Sequence, residues 1–193
     1  MSVVGQARLR FTHLLLLSAL LGCGSESLPV LTEVPNFSLT RENGEAFSSA
    51  ESLRGHVWVA NFIFTTCPSV CPTLTSQMGN LERRTRGTDV RFVSFSVDPT
   101  TDTPEVLLRY ARGHDANLER WAFLTGDASE MRSVIEEGLR MRMGERADGD
   151  ILHGAHFVLV DATGHVRGFY RNEGPEQERL VEDARRLSEN ASN

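Results

Sequence analysis

A nearly continuous apolar stretch runs directly into two cysteines, and this order limits the folds open to the chain. Residues 57–64 read VWVANFIF, which is typical of a central strand covered on both faces. Cys67 and Cys71 follow where a helix is predicted to begin. A spacing of four places both sulfurs on one face of a helical turn, close enough to share one partner. Such a pair can hold a soft metal ion or exchange as a disulfide.

Strand and helix signals alternate along the rest of the chain. A hairpin is predicted at Asn43-Gly44. Further strands are predicted at 90–97, 122–124, 157–161 and 165–170, and helices at 71–84, 104–112, 128–139 and 175–190. This order predicts an α/β fold with a mixed central sheet. Cysteines at a strand–helix junction indicate a thioredoxin-like sandwich with helices on both faces and an extra N-terminal β-hairpin, although CxxxC differs from the CxxC of thioredoxins.

The N-terminal residues have the pattern of an export signal. Arg8 and Arg10 precede an apolar run at 11–21, which is short for a membrane span. The run ends in LLGC at Cys23, which resembles a bacterial lipobox, whose cysteine is lipidated and becomes the mature N-terminus. An ordinary signal cleaved nearby, with Cys23 left as a spare thiol, is the alternative. The predicted division is a lipoprotein-type signal peptide over 1–22, a tether over 23–32, with 28–33 as linker, and a thioredoxin-like domain over 33–193.

Export determines the redox setting of the cysteines. We expect a membrane-anchored lipoprotein that faces the periplasm or the extracellular side, where a disulfide can persist. The three cysteines then divide into one anchor and one pair, and the pair needs a reductant or a metal to stay as thiolates. Net charge is −6, or about −8 without the two signal arginines, so nucleic acid is not an expected partner.

Three segments in a fixed order resemble the SCO/SenC family, over roughly residues 33 to 190. They are GHVWVANFIFTTCPSVCP at 55–72, SVDPTTDTP at 96–104 and HGAHFVLVDATG at 153–164. The family consists of membrane-tethered, thioredoxin-fold copper proteins that assist the assembly of cytochrome c oxidase. The resemblance therefore implies a copper-binding domain that carries Cu(I), Cu(II) or both.

The resemblance also implies a ligand set of both cysteines and one histidine. The family's ligand histidine begins the third motif, eleven residues before a turn glycine, which is Gly164 here, so the role falls on His153. His156 lies where the family is variable. Because side chains alternate along a strand, a core-facing Phe157 would share its face with His153 and not with His156. Leu152 and Gly154 replace the Asp and Ser that usually flank the histidine, which removes its usual hydrogen-bonding support.

Two thiolates and one imidazole form a soft three-ligand set that suits trigonal Cu(I). A helix N-terminus is expected to lower the pKa of the cysteines by stabilising the thiolate. Few ligands and access to solvent leave room for an acceptor's thiolates to enter. The structural alternative for Cys67 and Cys71 is a disulfide, which would close a small loop and add little by chain entropy.

Other side chains with metal or redox chemistry are assigned secondary roles. Asp98 is a candidate to support the metal ligands without binding the metal itself, because loops after neighbouring strands converge at the site. Asp102 is predicted to serve turn and helix-cap chemistry before Pro104. Met141 and Met143 could ligate copper, but their alternation favours a strand packed on the core.

Two functions fit the same residues. The first is a metallochaperone that delivers copper to the dinuclear copper centre of cytochrome c oxidase, with the oxidase copper-binding subunit, a copper donor or thiol reductant, and the membrane as partners. The alternative is an enzyme, a thiol–disulfide reductase that keeps the oxidase cysteines reduced through Cys67 and Cys71. A more distant alternative is a peroxidase, for which the sequence shows no dedicated activating base.

Overall fold

An eight-stranded mixed sheet forms the centre of the computed structural model, which describes residues 27–142 and 156–191. The strands are β1 Thr32–Glu33, β2 Ser38–Arg41, β3 Ala46–Ser48, β4 Trp58–Ile63, β5 Arg91–Ser96, β6 Trp121–Thr125, β7 His156–Val160 and β8 His165–Arg171. The helices are α1 Ser49–Ser52, α2 Val70–Arg84, α3 Pro104–Gly113, α4 Ala128–Arg132, a π-helical turn at Ser133–Gly138, and α5 Gly174–Ala191. None of the helices within these ranges is both long and apolar enough to cross a bilayer.

The strand order is β1-β8-β7-β4-β5-β6-β2-β3. β4, β5 and β6 run parallel to one another, whereas β7 pairs antiparallel with β4 and β2 pairs antiparallel with β6. The crossovers between the parallel strands contain α2 and α3, as parallel pairing requires. This arrangement confirms the predicted α/β class with a mixed central sheet.

Alternation along β4 divides the core into two layers. Val59 and Ile63 pack on one face with residues of α2, α3 and α5. Trp58, Ala60 and Phe62 pack on the other face with residues of α4 and the π-helical turn. Every residue of β4 is buried, as the apolar run predicted for a central strand. Helices on both faces are therefore confirmed.

The N-terminal hairpin forms at the predicted Asn43-Gly44 turn and adds β2 and β3 beside β6. Gly44 has a φ of +84°, a conformation that glycine adopts without steric cost. The Asn43 side-chain oxygen accepts a hydrogen bond from the Glu45 amide at 3.0 Å. The hairpin prediction is confirmed.

The linker predicted at 28–33 is wrong, because this segment lies against the sheet. Thr32 and Glu33 form β1 on β8, and the Leu31 amide donates to the Val166 carbonyl at 2.9 Å. Arg167 donates from Nε to the Pro29 carbonyl at 2.9 Å. A two-residue strand has no periodic pattern, so these hydrogen bonds could not be read from the sequence.

The helix predicted over 128–139 is divided. An α-helical first turn, capped by Asp127, changes to π-helical geometry at Ser133. Met131, Val134 and Ile135 remain buried, so the apolar spacing identified the correct buried face although the helix type changes.

The loops that follow β4 and β5 lie at the same end of the sheet as the start of β7. The carboxyl ends of β4 and β5 adjoin each other, since Ile63 pairs with Ser96. β7 runs antiparallel to β4, with Trp58 opposite Val160, and therefore begins at the same end. The loops after β4 and β5 and the start of β7 meet there, as expected for ligand sites in open α/β sheets.

Candidate functional site

The two cysteines lie at this end of the sheet, one before α2 and one inside its first turn. The helix begins at Val70 with Ser69 as its N-cap, so Cys67 lies outside the helix. The prediction that both cysteines share a helical turn is therefore wrong. The two remain in contact, because the Cys71 amide donates to Cys67 Sγ at 3.3 Å. The Ser69 side chain does not cap the helix. The Cys67 sulfur instead accepts a hydrogen bond from the Cys71 amide, one of the first-turn N–H groups that have no partner within the helix.

Both cysteines are free thiols, but their environments differ. Cys67 is partly exposed, whereas Cys71 is fully buried at 0%. Burial acts to raise the pKa of Cys67, but backbone amides, chiefly those of Cys71 and Ser69, outweigh it and hold that pKa below its ordinary value. Burial raises the pKa of Cys71 to about 12. The predicted lowering by the helix N-terminus therefore holds for Cys67 and is wrong for Cys71.

Asp102 holds the loop that leads to the cysteines. Its carboxylate is completely buried and accepts from the Thr65 amide at 3.1 Å and the Thr65 hydroxyl at 2.5 Å. The Ser96 hydroxyl donates to the other carboxylate oxygen at 2.6 Å. Thr103 is the N-cap of α3 and no side chain caps that helix, so the capping role predicted for Asp102 is wrong. The carboxylate instead connects the end of β5 to the chain two residues before Cys67.

Asp98 makes local contacts within the loop after β5. Its carboxylate accepts from the Thr100 hydroxyl at 3.0 Å, and its amide donates to the Ser96 hydroxyl at 3.1 Å. Within residues 27–142 and 156–191, the aspartate that hydrogen-bonds to the cysteine loop is Asp102 and not Asp98. A supporting role for Asp98 stays a prediction.

Tyr110 of α3 is a neighbour of the pair that sequence reasoning missed. Its hydroxyl shares a hydrogen bond with the Thr75 hydroxyl at 2.8 Å. Burial, together with the charges of Cys71, Cys67 and Asp102, raises the pKa of Tyr110 to about 12, so the phenol stays neutral beside the thiols. Its position three residues after the buried Leu107 is the signal that could have placed it on the inner face of α3.

His153, the predicted third ligand, lies outside the described residues, as do Met143 and Cys23. Phe157 and Leu159 of β7 pack in the same core layer as Cys71, whereas the placement of His153 on that face stays a prediction. Within 27–142 and 156–191, no group of three or more His, Cys, Asp or Glu side chains is arranged to hold a metal ion. The described part of the site therefore offers two thiols.

Met141 lies in neither a helix nor a strand and packs, partly buried, on the core layer opposite Cys71. The predicted core packing of Met141 is confirmed, but the predicted strand is wrong.

The arrangement pairs an accessible thiol of lowered pKa with a buried thiol of raised pKa. Cys67 has the exposure and the lowered pKa of a nucleophile or a metal ligand that a partner can reach. Cys71 is protonated at neutral pH and loses its proton when a metal or a disulfide bond replaces it. The same two sulfurs thus support soft-metal binding and thiol–disulfide exchange.

Comparison with known proteins gives a consistent result. The family model SCO1/SenC matches residues 26–189 of the chain. A SCO1/SenC family lipoprotein from Bacillus anthracis str. Ames is 32% identical, with a TM-score of 0.73 over 81% of this chain and 95% of that one. BsSco, a member of the Sco family of cytochrome c oxidase assembly proteins in which a disulfide switch was identified, is 32% identical, with a TM-score of 0.75 over 84% and 97%. ScoI of Arabidopsis thaliana, solved with copper bound, is 25% identical, with a TM-score of 0.65 over 80% and 99%.

Proposed function

Because the chain belongs to the SCO1/SenC family, we propose that it is a metallochaperone that delivers copper to the dinuclear copper centre of cytochrome c oxidase during assembly. Copper is the cargo in this proposal, held by Cys67, Cys71 and His153. The observation that carries it is the contact between an accessible cysteine and a buried cysteine at the carboxyl end of β4. Thiolate sulfur selects Cu(I), so the donors present fit the metal.

The position of β7 supports His153 as the third ligand. β7 begins at the end of the sheet where the cysteine loop emerges, and His153 precedes its first residue by three positions. Three residues span at most about 10 Å, so the chain length allows the imidazole to approach the sulfurs. A site of three ligands with one exposed sulfur lets the thiolates of the oxidase copper-binding subunit enter and take the metal.

Copper titration of the purified protein tests the ligand set. We expect one Cu(I) per chain at submicromolar affinity, and at least tenfold weaker binding for His153→Ala. His165→Ala is the matched control, because His165 lies in the turn that opens β8 and contacts Thr163 there, away from the cysteines. Binding by His153→Ala that equals the control would remove His153 from the ligand set. Absence of Cu(I) binding by the unmodified protein would end the chaperone proposal.

A thiol–disulfide reductase is the second candidate, and the unequal thiols favour it. A partly exposed cysteine of lowered pKa beside a buried cysteine of raised pKa resembles the attacking and resolving thiols of redox pairs. As a reductase, the reduced pair would attack a disulfide of the oxidase copper subunit through Cys67. Cys71 would then attack the Cys67 sulfur and release the reduced substrate, leaving a Cys67–Cys71 disulfide that an external thiol reductant reduces back to two thiols. In that case Cys67→Ser abolishes reduction of a disulfide substrate, whereas His153→Ala retains it.

Membrane attachment is the remaining part of the proposal. Cleavage before Cys23 and lipidation of its sulfur would produce a lipoprotein on the periplasmic or extracellular side, and the B. anthracis relative is likewise a family lipoprotein. The intact mass of the mature protein tests this, since a diacylglyceryl adduct on Cys23 is absent from Cys23→Ser. A mature chain that begins elsewhere, or lacks the adduct, contradicts the anchor and leaves the copper assignment standing.

A further inference from the structure

Exposed apolar side chains concentrate at one edge of the sheet. Within the described ranges, the large hydrophobic residues classed as exposed are Val30 at 62%, Leu31 at 49%, Val70 at 41% and Phe169 at 38%. Val30 and Leu31 lead into β1, and Phe169 belongs to β8, the strand with which β1 pairs. We call Val30, Leu31 and Phe169 the edge patch.

The edge patch is held in place by hydrogen bonds. The Leu31 amide donates to the Val166 carbonyl at 2.9 Å, and Arg167 donates to the carbonyls of Pro29 and Leu28. Arg167 is itself fixed by Asp161, whose carboxylate accepts from the guanidinium at 2.8 Å. These hydrogen bonds hold the residues before and after Val30, so the Val30 side chain extends from an ordered backbone.

The length of chain before this edge restricts where it can lie. Leu28, the first residue held by Arg167, is five positions after Cys23. Five steps along a fully extended chain reach at most about 18 Å. The polar layer on each side of a bilayer is about 5–8 Å thick, so a lipid on Cys23 keeps the edge of β1 close to the membrane surface.

We propose that the edge patch is a membrane-contact surface, with Val30, Leu31 and Phe169 seated in the interfacial layer of the phospholipid bilayer that holds the anchor. The inference rests on the lipid anchor of the proposed function and adds an orientation to it. Apolar side chains with an ordered backbone suit such contact, because they gain from leaving water and have no backbone left to order.

The orientation has a consequence for the copper site. Three strand spacings separate β1 from β4, because β8 and β7 lie between them. At about 4.8 Å per spacing, the start of the cysteine loop stands about 14 Å beyond the edge that faces the lipid. When the edge patch contacts the bilayer, the cysteine loop therefore lies at a fixed distance from the membrane surface, across the width of the sheet from β1 to β4.

Single tryptophan substitutions test the contact in the full, lipidated protein reconstituted into phosphatidylethanolamine–phosphatidylglycerol vesicles. The native Trp58 and Trp121 are 2% and 1% exposed, so an added tryptophan reports its own surroundings. We expect phospholipid brominated near the headgroup to quench Val30→Trp and Phe169→Trp at least twofold. Glu51→Trp is the control, because Glu51 is exposed on α1, beside β3 at the opposite edge of the sheet.

Each outcome decides the proposal. Quenching of Val30→Trp and Phe169→Trp above the control supports membrane contact, and quenching equal to that of Glu51→Trp overturns it. A blue shift before vesicles are added, together with a doubled mass in solution, shows that a second copy covers the patch and also overturns it. Absence of a lipid adduct on Cys23 removes the premise and overturns the inference, while Cu(I) binding, measured on the same preparation, separately decides the chaperone function.

Discussion

Replacement of Asp102 by asparagine tests how strongly one buried carboxylate holds the cysteine loop. The carboxylate accepts three hydrogen bonds, from the Thr65 amide at 3.1 Å, the Thr65 hydroxyl at 2.5 Å and the Ser96 hydroxyl at 2.6 Å. Asparagine has the shape of aspartate but no charge. The hydroxyls of Thr65 and Ser96 can turn to accept a hydrogen bond from the side-chain amide of asparagine, whereas the Thr65 backbone amide can only donate. The substitution therefore weakens all three bonds without opening a cavity.

The magnitude follows from the kind of bond that is lost. Hydrogen bonds to a charged group contribute about 1.5–3 kcal/mol each, and neutral ones about 1 kcal/mol. Three weakened bonds, offset by the relief of desolvating a carboxylate, give an expected loss of about 2–3 kcal/mol in the free energy of unfolding. The pKa of Cys71 should also fall, because the Asp102 charge is among the causes that raise it.

Urea unfolding at neutral pH measures the stability change, and the pH dependence of alkylation of the buried thiol measures the pKa change. Asp98→Asn is the matched control, since Asp98 is partly exposed and its carboxylate accepts from the Thr100 hydroxyl at 3.0 Å within its own loop. We expect less than about 0.5 kcal/mol for the control. An Asp102→Asn protein that matches the control in both measurements would refute a bracing role for the carboxylate.

Two further predictions follow from the pKa shifts. Limited alkylation of the reduced protein at pH 7 should modify Cys67 well before Cys71, because the pKa of Cys67 is lowered and that of Cys71 is raised to about 12; equal modification, read by peptide mass, would contradict this. Burial acts to raise the pKa of Asp161, but hydrogen bonds, including that from Arg167, hold it below its ordinary value. Its stabilising contribution is therefore complete above the unfolded pKa of about 3.9 and is lost as pH falls through the lower folded pKa. Asp161→Asn should reduce the free energy of unfolding at pH 6 and progressively less below pH 4, and a deficit that stays constant across this range would show that the charge is not responsible.

Local chemistry made much of the fold predictable. The apolar run at 57–64 became the buried strand Trp58–Ile63, because a strand covered on both faces is mostly apolar; Asn61 is its one polar residue. The Asn43-Gly44 turn and the Pro104 helix start are likewise set by backbone preferences of single residues, which the sequence shows directly.

Features that depend on tertiary contacts were not predictable. Asp102 precedes a helix, so local rules favoured a cap, but the fold brings Thr65 and Ser96 to its carboxylate instead. The unequal exposure of Cys67 and Cys71 also depends on the fold, because spacing gives proximity along the chain and not depth below the surface. Sequence could therefore locate the pair but not assign different pKa values to its members.

The two strands that bound the sheet are both short. β1 has two residues and β3 has three, whereas the interior strands β4 and β5 have six each. An outer strand of this length presents few unpaired N–H and C=O groups, and so offers little template for strand addition by a neighbouring chain. If it is exported as proposed, the domain has to reach its destination without associating edge to edge. Lengthening β1 or β3 would therefore raise the risk of aggregation even if it raised the stability of the folded monomer.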